Sequence, residues 1–536
     1  MKNLVVLFAG EISGFAIQNV AGGDSAFIRS LRAASEMSSK SSILVCAAKK
    51  RHNGAPVPDP KTLEKLTKDA GITVPVEFHI EDFWTSSLFF SVIDKAADGF
   101  EQVFIVHGDT PFLDKDFAAR LYKRHCSYAA EYTFADGYPV GLAPDILARG
   151  IIPVLARLAD SGPVTKTIVF DTIKKDINSF DIETDIAPVD VRHLRLMLAC
   201  DCWQNYLLCE SFADITVENY AELVQNRGAA LRTKPAFYGI QIAGGCPFSC
   251  MFCPYPAFCE SGTGLSPAKA VTERRDYMAK KDFAPLIKKI ADYSQTAVVS
   301  LSLWGEPSQH PEIAACIAEV LQYPGLSVLI ETTGIGWKKE TLSEIAETAL
   351  KSGGRISGFP PITWIVSLDA AESGLYGALR SLESPEQVNA LFSEAISCIE
   401  ILATLFPQDV WPQFIRMNEN EEQLEVFYRF WKEKLSRVII QKYDSFCDIQ
   451  PQRRVADLAP LKRHPCWHLK RDMSILIDGT VPLCREDLYA SHSFGNAFSE
   501  DLADIWKGYH RVYEQHLACV YEGICGTCDE YYTYNF

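Results

Sequence analysis

Short apolar runs alternate along the chain with stretches whose apolar residues recur at helical spacing, and the alternation falls into two series. In the first, Leu4 to Phe8, Ile43 to Ala47 and Val103 to Val106 read as strands, with helices expected near Ala26 to Ser35 and Ser87 to Ala96. This is the rhythm of an α/β domain over residues 1–230, the segment from about 165 being connecting structure. The second series starts at Phe237 to Ile242 and continues at Ala297 to Leu303, Leu326 to Ile330, Ile362 to Leu368, Trp411 to Ile415 and Val438 to Gln441. Helical patterns intervene at about Pro267 to Tyr293, Pro311 to Leu321, Glu340 to Lys351, Pro385 to Leu405 and Glu421 to Leu435, with Asn420 and Gln423 marking a helix start. Six strands alternating with helices predict parallel βαβ units closing into a partial (βα)6 TIM-like barrel over residues 231–450. A proline-containing linker follows, and residues 451–536 form a small third domain with an Asp478-Gly479 hairpin turn.

A chain of 536 residues supports several such domains. Its net charge of −16 opposes binding to nucleic acid or anionic lipid, so neither a nucleic-acid nor a membrane partner is expected. Glu11 interrupts the opening apolar run where a signal peptide would continue, and no stretch approaches the ~18 uncharged apolar residues that span a bilayer. The seventeen cysteines are an odd count in a long chain without an export signal. A soluble, cytoplasmic protein in a reducing compartment is therefore expected, its thiols free or metal-bound. Cys46, Cys316 and Cys398 sit on apolar patterns as small core residues, and Cys259 reads as a free thiol.

Candidate chemistry gathers where the second series begins. Cys246, Cys250 and Cys253 follow the first strand of that series within eight residues. Thiolates select iron–sulfur clusters, zinc or copper(I), and a cubane normally takes four, so three leave one iron open. Each later strand but the last ends in polar residues: Gly305 and Glu306, Glu331 to Thr333, Ser367 and Asp369, then Arg416 and Asn418. In parallel barrels function collects at these C-terminal strand ends. Further on, Cys466 and Cys484 flank the hairpin turn, and Cys525 and Cys528 follow, a spacing compatible with structural zinc or with a cluster. In the first series, Asp109 lies in a turn after a strand, a position suited to a divalent metal holding a nucleotide phosphate.

His107-Gly108-Asp109-Thr110-Pro111-Phe112-Leu113 resembles the metal-binding turn of nucleotidyltransferases, and Gly137 to Leu142 is also similar to that family. The loop Ala9 to Phe15 departs from it by offering an acid and no base, which leaves open an active transferase or a retained fold used otherwise. Cys246-x3-Cys250-x2-Cys253 with Phe252 before the third cysteine resembles the signature of radical S-adenosylmethionine (SAM) enzymes. Gly305-Glu306-Pro307 is similar to that family's motif for the methionine amine, with Trp304 in place of a glycine. Ser367-Leu368-Asp369, Tyr376 and Arg380 resemble the region that contacts ribose and the methionine carboxylate. Cys466-Trp467, Ile475 to Val481, Cys484, Gly495-Asn496, Leu502 to Trp506 and Cys525-x2-Cys528 resemble the SPASM/twitch extension of that family, and the whole chain resembles the spiro-SPASM proteins.

The resemblance implies a 4Fe-4S cluster on Cys246, Cys250 and Cys253 that holds SAM and cleaves it to a 5′-deoxyadenosyl radical. It implies one auxiliary 4Fe-4S cluster on Cys466, Cys484, Cys525 and Cys528 that relays an electron during substrate oxidation. An electron donor such as flavodoxin or ferredoxin, and a peptide or small-molecule substrate, go with it. A bifunctional nucleotidyltransferase/radical SAM enzyme and a metal-stabilised, non-catalytic scaffold are the alternatives.

Overall fold

The structure, a computed structural model describing residues 2–37, 41–255 and 277–533, divides into two units, Met1–Thr233 and Lys234–Phe536. In the first, β1 (Asn3–Ala9) is buried along its whole length between β2 (Ser41–Ala48) and β4 (Gln102–His107), both parallel to it. Burial on both faces explains why β1 reads as a continuous apolar run. Adding β3 (Val76–Glu81), β5 (Tyr132–Asp136), β6 (Asp145–Ala148) and β7 (Ile182–Ile186) gives a seven-stranded sheet ordered β3-β2-β1-β4-β6-β5-β7, with β6 antiparallel. The expected helices are present at Ala26–Glu36, where the Ser25 hydroxyl accepts the Ile28 N–H, and at Ser86–Ala96. The strands not foreseen include β3, an edge strand whose Glu77 and Ile80 face solvent and which lacks a long apolar run.

The second unit contains β8 (Phe237–Ile240), β9 (Ala297–Ser300), β10 (Leu326–Thr332), β11 (Ile362–Ser367), β12 (Val410–Arg416), β13 (Ile439–Lys442) and β14 (Asp472–Ile475). All seven run parallel, in the order β13-β12-β11-β10-β9-β8-β14. Six were expected; the seventh comes from beyond residue 451 and places Asp472 beside Phe237. Two-residue periodicity divides the side chains. Tyr238, Val299, Val328 and Trp364 enter the main core, while Phe237, Val298, Leu329 and Ile365 pack together on the other face.

The helices connecting these strands match the expected pattern within a few residues, including Lys339–Ser352 and Pro385–Leu405. The pattern expected from Pro267 is described only as Lys280–Ser294, and its earlier part, with Cys259, lies outside the described residues. Among the described residues one helix, Pro385–Leu405, is long and apolar enough to cross a membrane, although it contains no uncharged run of about 18 residues. It carries Glu394 and Glu400 and buries Val388, Ala395, Cys398, Ile399 and Leu402. None of the sixteen described cysteines forms a disulfide, and Cys46, Cys316 and Cys398 are buried in the cores.

Candidate metal centres

The loop after β8 carries the first cysteines and is held from three sides. Gln241 donates to the Tyr255 hydroxyl at 2.6 Å, and its oxygen accepts the Ile477 N–H at 3.3 Å. The Glu306 N–H donates to Gly245 O at 2.7 Å, and the Met251 N–H to Leu379 O at 3.0 Å. The Cys253 N–H closes a turn on Cys250 O. Gly305 has φ +78°, and a Cβ there would lie 2.2 Å from Ala243 O, so the close approach of these two loops requires glycine. Trp304 stacks on Tyr255 with ring centroids 5.6 Å apart.

Cys246, Cys250 and Cys253 line a cavity of about 570 Å³ together with Gly305, Glu306, Ser367 and Arg380. Phe252 borders it and packs with Leu379, Met417 and Tyr443. Glu306 is buried and its carboxylate is saturated. It accepts from the Thr332 hydroxyl (2.5 Å), the Thr333 N–H (2.8 Å) and hydroxyl (2.8 Å), and the Ser308 N–H (3.2 Å). Burial lifts this carboxyl above its usual range, and the four donors pull against that rise. Glu306 therefore ties the loop after β9 to the end of β10.

Arg380 donates to Leu368 O at 3.0 Å, Ser367 O at 2.7 Å and Asp369 Oδ2 at 3.1 Å, and lies 4.0 Å over the Tyr376 ring. Its Nε is buried without a hydrogen-bond partner. Asp369 is fully buried, has φ +61° and accepts the Ile415 N–H at 2.9 Å; it does not line the cavity. Burial lifts its carboxyl against the pull of Arg380. It acts as the anchor that orients Arg380, where the sequence placed it among the contacts. Asn420 stands at the start of the turn Glu421–Gln423 that leads into the helix Leu424–Leu435, as expected, but its side chain does not cap it: the amide donates to Asp369 O and Ile415 O, bracing the same loop. Ser367 Oγ donates to Gln413 at 2.6 Å.

The other four cysteines also converge. Cys466, Cys525 and Cys528 all lie within electrostatic range of Cys484, whose thiol burial pushes well up. Cys466 starts the helix Trp467–Arg471, Cys525 lies in the turn Gly523–Gly526, and the Glu530 N–H donates to Cys528 Sγ at 3.4 Å. Burial pushes Cys525 up to about 11. Neutral buried thiols of this kind release protons on binding metal, so loading couples to deprotonation. Cys484 also lines the cavity that the first three cysteines line. Cys447, which the sequence reading passed over, lies within electrostatic range of Cys528 and Cys484.

In the first unit Asp109 is buried, and the Lys166 ammonium donates to both its oxygens, at 2.9 and 2.7 Å. Glu11 accepts the His52 N–H at 2.8 Å and is raised to about 7 by burial, against the pull of that bond and of Arg51.

Residues 466–529 match the family model of SPASM, an iron-sulfur cluster-binding domain. Two solved structures similar to the chain are BtrN in complex with AdoMet and 2-DOIA (12% identical, 53% of this chain and 87% of that one, TM-score 0.32) and Streptococcus suis SuiB bound to precursor peptide SuiA (17%, 67% and 78%, TM-score 0.38). An uncharacterized protein of Treponema pallidum (strain Nichols) is 47% identical over 374 residues, 69% of this chain and 99% of its own length. The chain belongs to that protein's family, and its residues 466–529 are a SPASM iron-sulfur cluster-binding domain. In this SPASM protein the donor chemistry suits two metal groups: three thiols with an unpartnered buried guanidinium nitrogen beside them, and a second set of four thiols.

Proposed function

We propose that the protein is a radical SAM enzyme that oxidises a polar small molecule or a peptide side chain in the cavity of the second unit. The observation that carries this reading is that one cavity is lined by Cys246, Cys250 and Cys253 and also by Cys484. A 4Fe-4S cluster on the first three cysteines, with SAM on its open iron, would supply one-electron cleavage of the sulfonium and a 5′-deoxyadenosyl radical that takes a hydrogen from the substrate. A second cluster, on Cys466, Cys484, Cys525 and Cys528, would accept the electron that the oxidised substrate releases.

The chain's own residues do the positioning. The Arg380 Nε has an unused N–H in the cavity wall for a carboxylate such as that of methionine. Asp369 keeps the guanidinium from turning away, and Glu306 fixes the Gly305 backbone against the cysteine loop. Trp304, Tyr255 and Phe446 form an aromatic wall that limits access of water. Lys442, Asp444, Arg485 and Glu530 also line the cavity, polar groups suited to a substrate with hydroxyl, amine or carboxylate groups. The volume lies within the range of small-molecule sites, about 300–1,000 Å³.

We read the first unit as a nucleotidyltransferase-like fold whose Asp109 is engaged by Lys166 in place of a metal. The test of the main reading is SAM cleavage by the reconstituted chain. Wild type should form 5′-deoxyadenosine, Cys250→Ala should form none, and iron should fall from about eight to about four per chain. Zinc in the wild type with no cleavage would leave only the scaffold.

A further inference from the structure

The inner faces of the parallel strands are layered. Phe237, Val298, Leu329 and Ile365 pack with Trp411 and Ile439 as an apolar layer. Two residues further along each strand, on the same face, come Gly239, Ser300, Glu331, Ser367, Gln413 and Gln441, and all six line the cavity. Glu331 is the one charged member of this second layer. Its neighbours serve one another: Ser367 Oγ donates to Gln413 Oε1 at 2.6 Å, and Gln413 Nε2 donates to Gln441. The Glu331 backbone is fixed by its N–H, which donates to Ser302 Oγ at 2.8 Å, and by its place beside Ile365 in the sheet. Among the described residues its carboxylate makes no ion pair. Burial lifts the carboxyl above its usual range against the pull of Arg485 and the Gln413 amide, and Asp369 adds to the rise.

The other charged groups of the cavity are already engaged. Arg380 holds Asp369, Glu306 is saturated by its four donors, and Asp472 pairs with Arg471 and His468. Lys442 pairs with Asp529 at 3.0 Å and with Glu530, and Arg485 pairs with Asp444 at 3.1 Å and Glu486 at 2.8 Å. In that group two cations meet four acids, so it has no positive charge to spare for Glu331. A carboxylate taken out of water without a counter-ion is costly, and a ligand cation that pairs with it offsets the cost. We propose that Glu331 is the specificity-determining residue of the cavity and that the substrate carries an ammonium group that pairs with it. A small polar amine and the side chain of a peptide lysine present that same group.

The inference rests on the reading of this cavity as the substrate site of a SAM-cleaving enzyme, which 5′-deoxyadenosine formation by the wild type tests separately. With cleavage established, the reconstituted full-length chain is titrated calorimetrically with SAM present and no reductant, using 1-pentylammonium, 1-pentanol and pentanoate as probes. Pentylammonium should bind at least tenfold more tightly than pentanol, and pentanoate should not bind. Glu331→Gln that still holds about eight irons should lose the ammonium advantage and keep the pentanol affinity. Equal binding of pentylammonium and pentanol by the wild type overturns the proposal, whether or not the variant folds. An ammonium preference that survives in Glu331→Gln, or a loss there of SAM affinity alone, overturns it too. Nα-acetyl-lysine methylamide binding more tightly than glucosamine places the ammonium on a peptide, and the reverse places it on a small polar molecule. If neither outbinds its uncharged counterpart, the Nε-acetylated amide or glucose, the proposal falls.

Discussion

Replacing Arg380 by Met tests whether Asp369 orients the guanidinium or only fills the core. The two side chains are 1% and 0% exposed and 3.1 Å apart. Removing one partner of such a buried pair costs about 3–5 kcal/mol. Of that, the Ser367 and Leu368 carbonyls lose a donor at about 1 kcal/mol each, which leaves roughly 2 kcal/mol for the stranded carboxylate. Adding Asp369→Asn removes that charge while keeping an oxygen for the Ile415 N–H. The double variant should therefore be about 2 kcal/mol more stable than Arg380→Met, read from urea midpoints at equal slopes under anaerobic conditions. The single variant should also depend on pH. A stranded Asp369 has its pKa raised above the unfolded value, so the stability it contributes is present at low pH and is lost as pH rises. Arg380→Met should thus lose more at pH 8 than at pH 5.5, and the double variant should not share that dependence. Neither should cleave SAM. A double variant no more stable than the single at pH 8 would refute the electrostatic reasoning.

Gly305→Ala combines a left-handed backbone with a Cβ 2.2 Å from Ala243 O; it should cost about 1–3 kcal/mol and lower SAM cleavage at least tenfold in chain that still loads the auxiliary site. Glu11, raised from 4.5 to about 7, makes the first unit's stability fall between those pH values by about 3 kcal/mol at 1.36 kcal/mol per unit; thermal unfolding of Glu11→Gln should show that fall abolished. Calorimetric titration with Mg²⁺ and nucleoside triphosphates should give no magnesium-dependent binding at Asp109, and micromolar binding would reinstate a bifunctional enzyme.

The three-cysteine loop was legible because its thiols fall within eight residues, and the rim was legible because apolar runs mark strands buried on both faces. Arg380 came from the resemblance of the Ser367 to Arg380 segment to a radical SAM region, and not from the rhythm. What Asp369 does was hidden, since a carboxylate that contacts a cofactor and one that aims an arginine have the same spacing. The Asn420 signal marked the helix start, while the use of its amide on Asp369 O and Ile415 O had no signature in the sequence. Cys447 gave no signal: Cys528, within whose electrostatic range it lies, is 81 positions away, and its turn runs through three left-handed residues, none of them glycine. Likewise β14 offers no apolar run to count, since Asp472-Met473-Ser474-Ile475 alternates polar and apolar residues.

That seventh strand sets an order of assembly during synthesis. Phe237, beside the cysteine loop, pairs on one side with Val298, but its other neighbour, Asp472, emerges 235 residues later. At about 5–20 residues per second, β8 remains a bare sheet edge for roughly 12–47 s. A chain stopped before Asp472 would keep every cysteine of the first site and still leave that edge open to pairing with other chains.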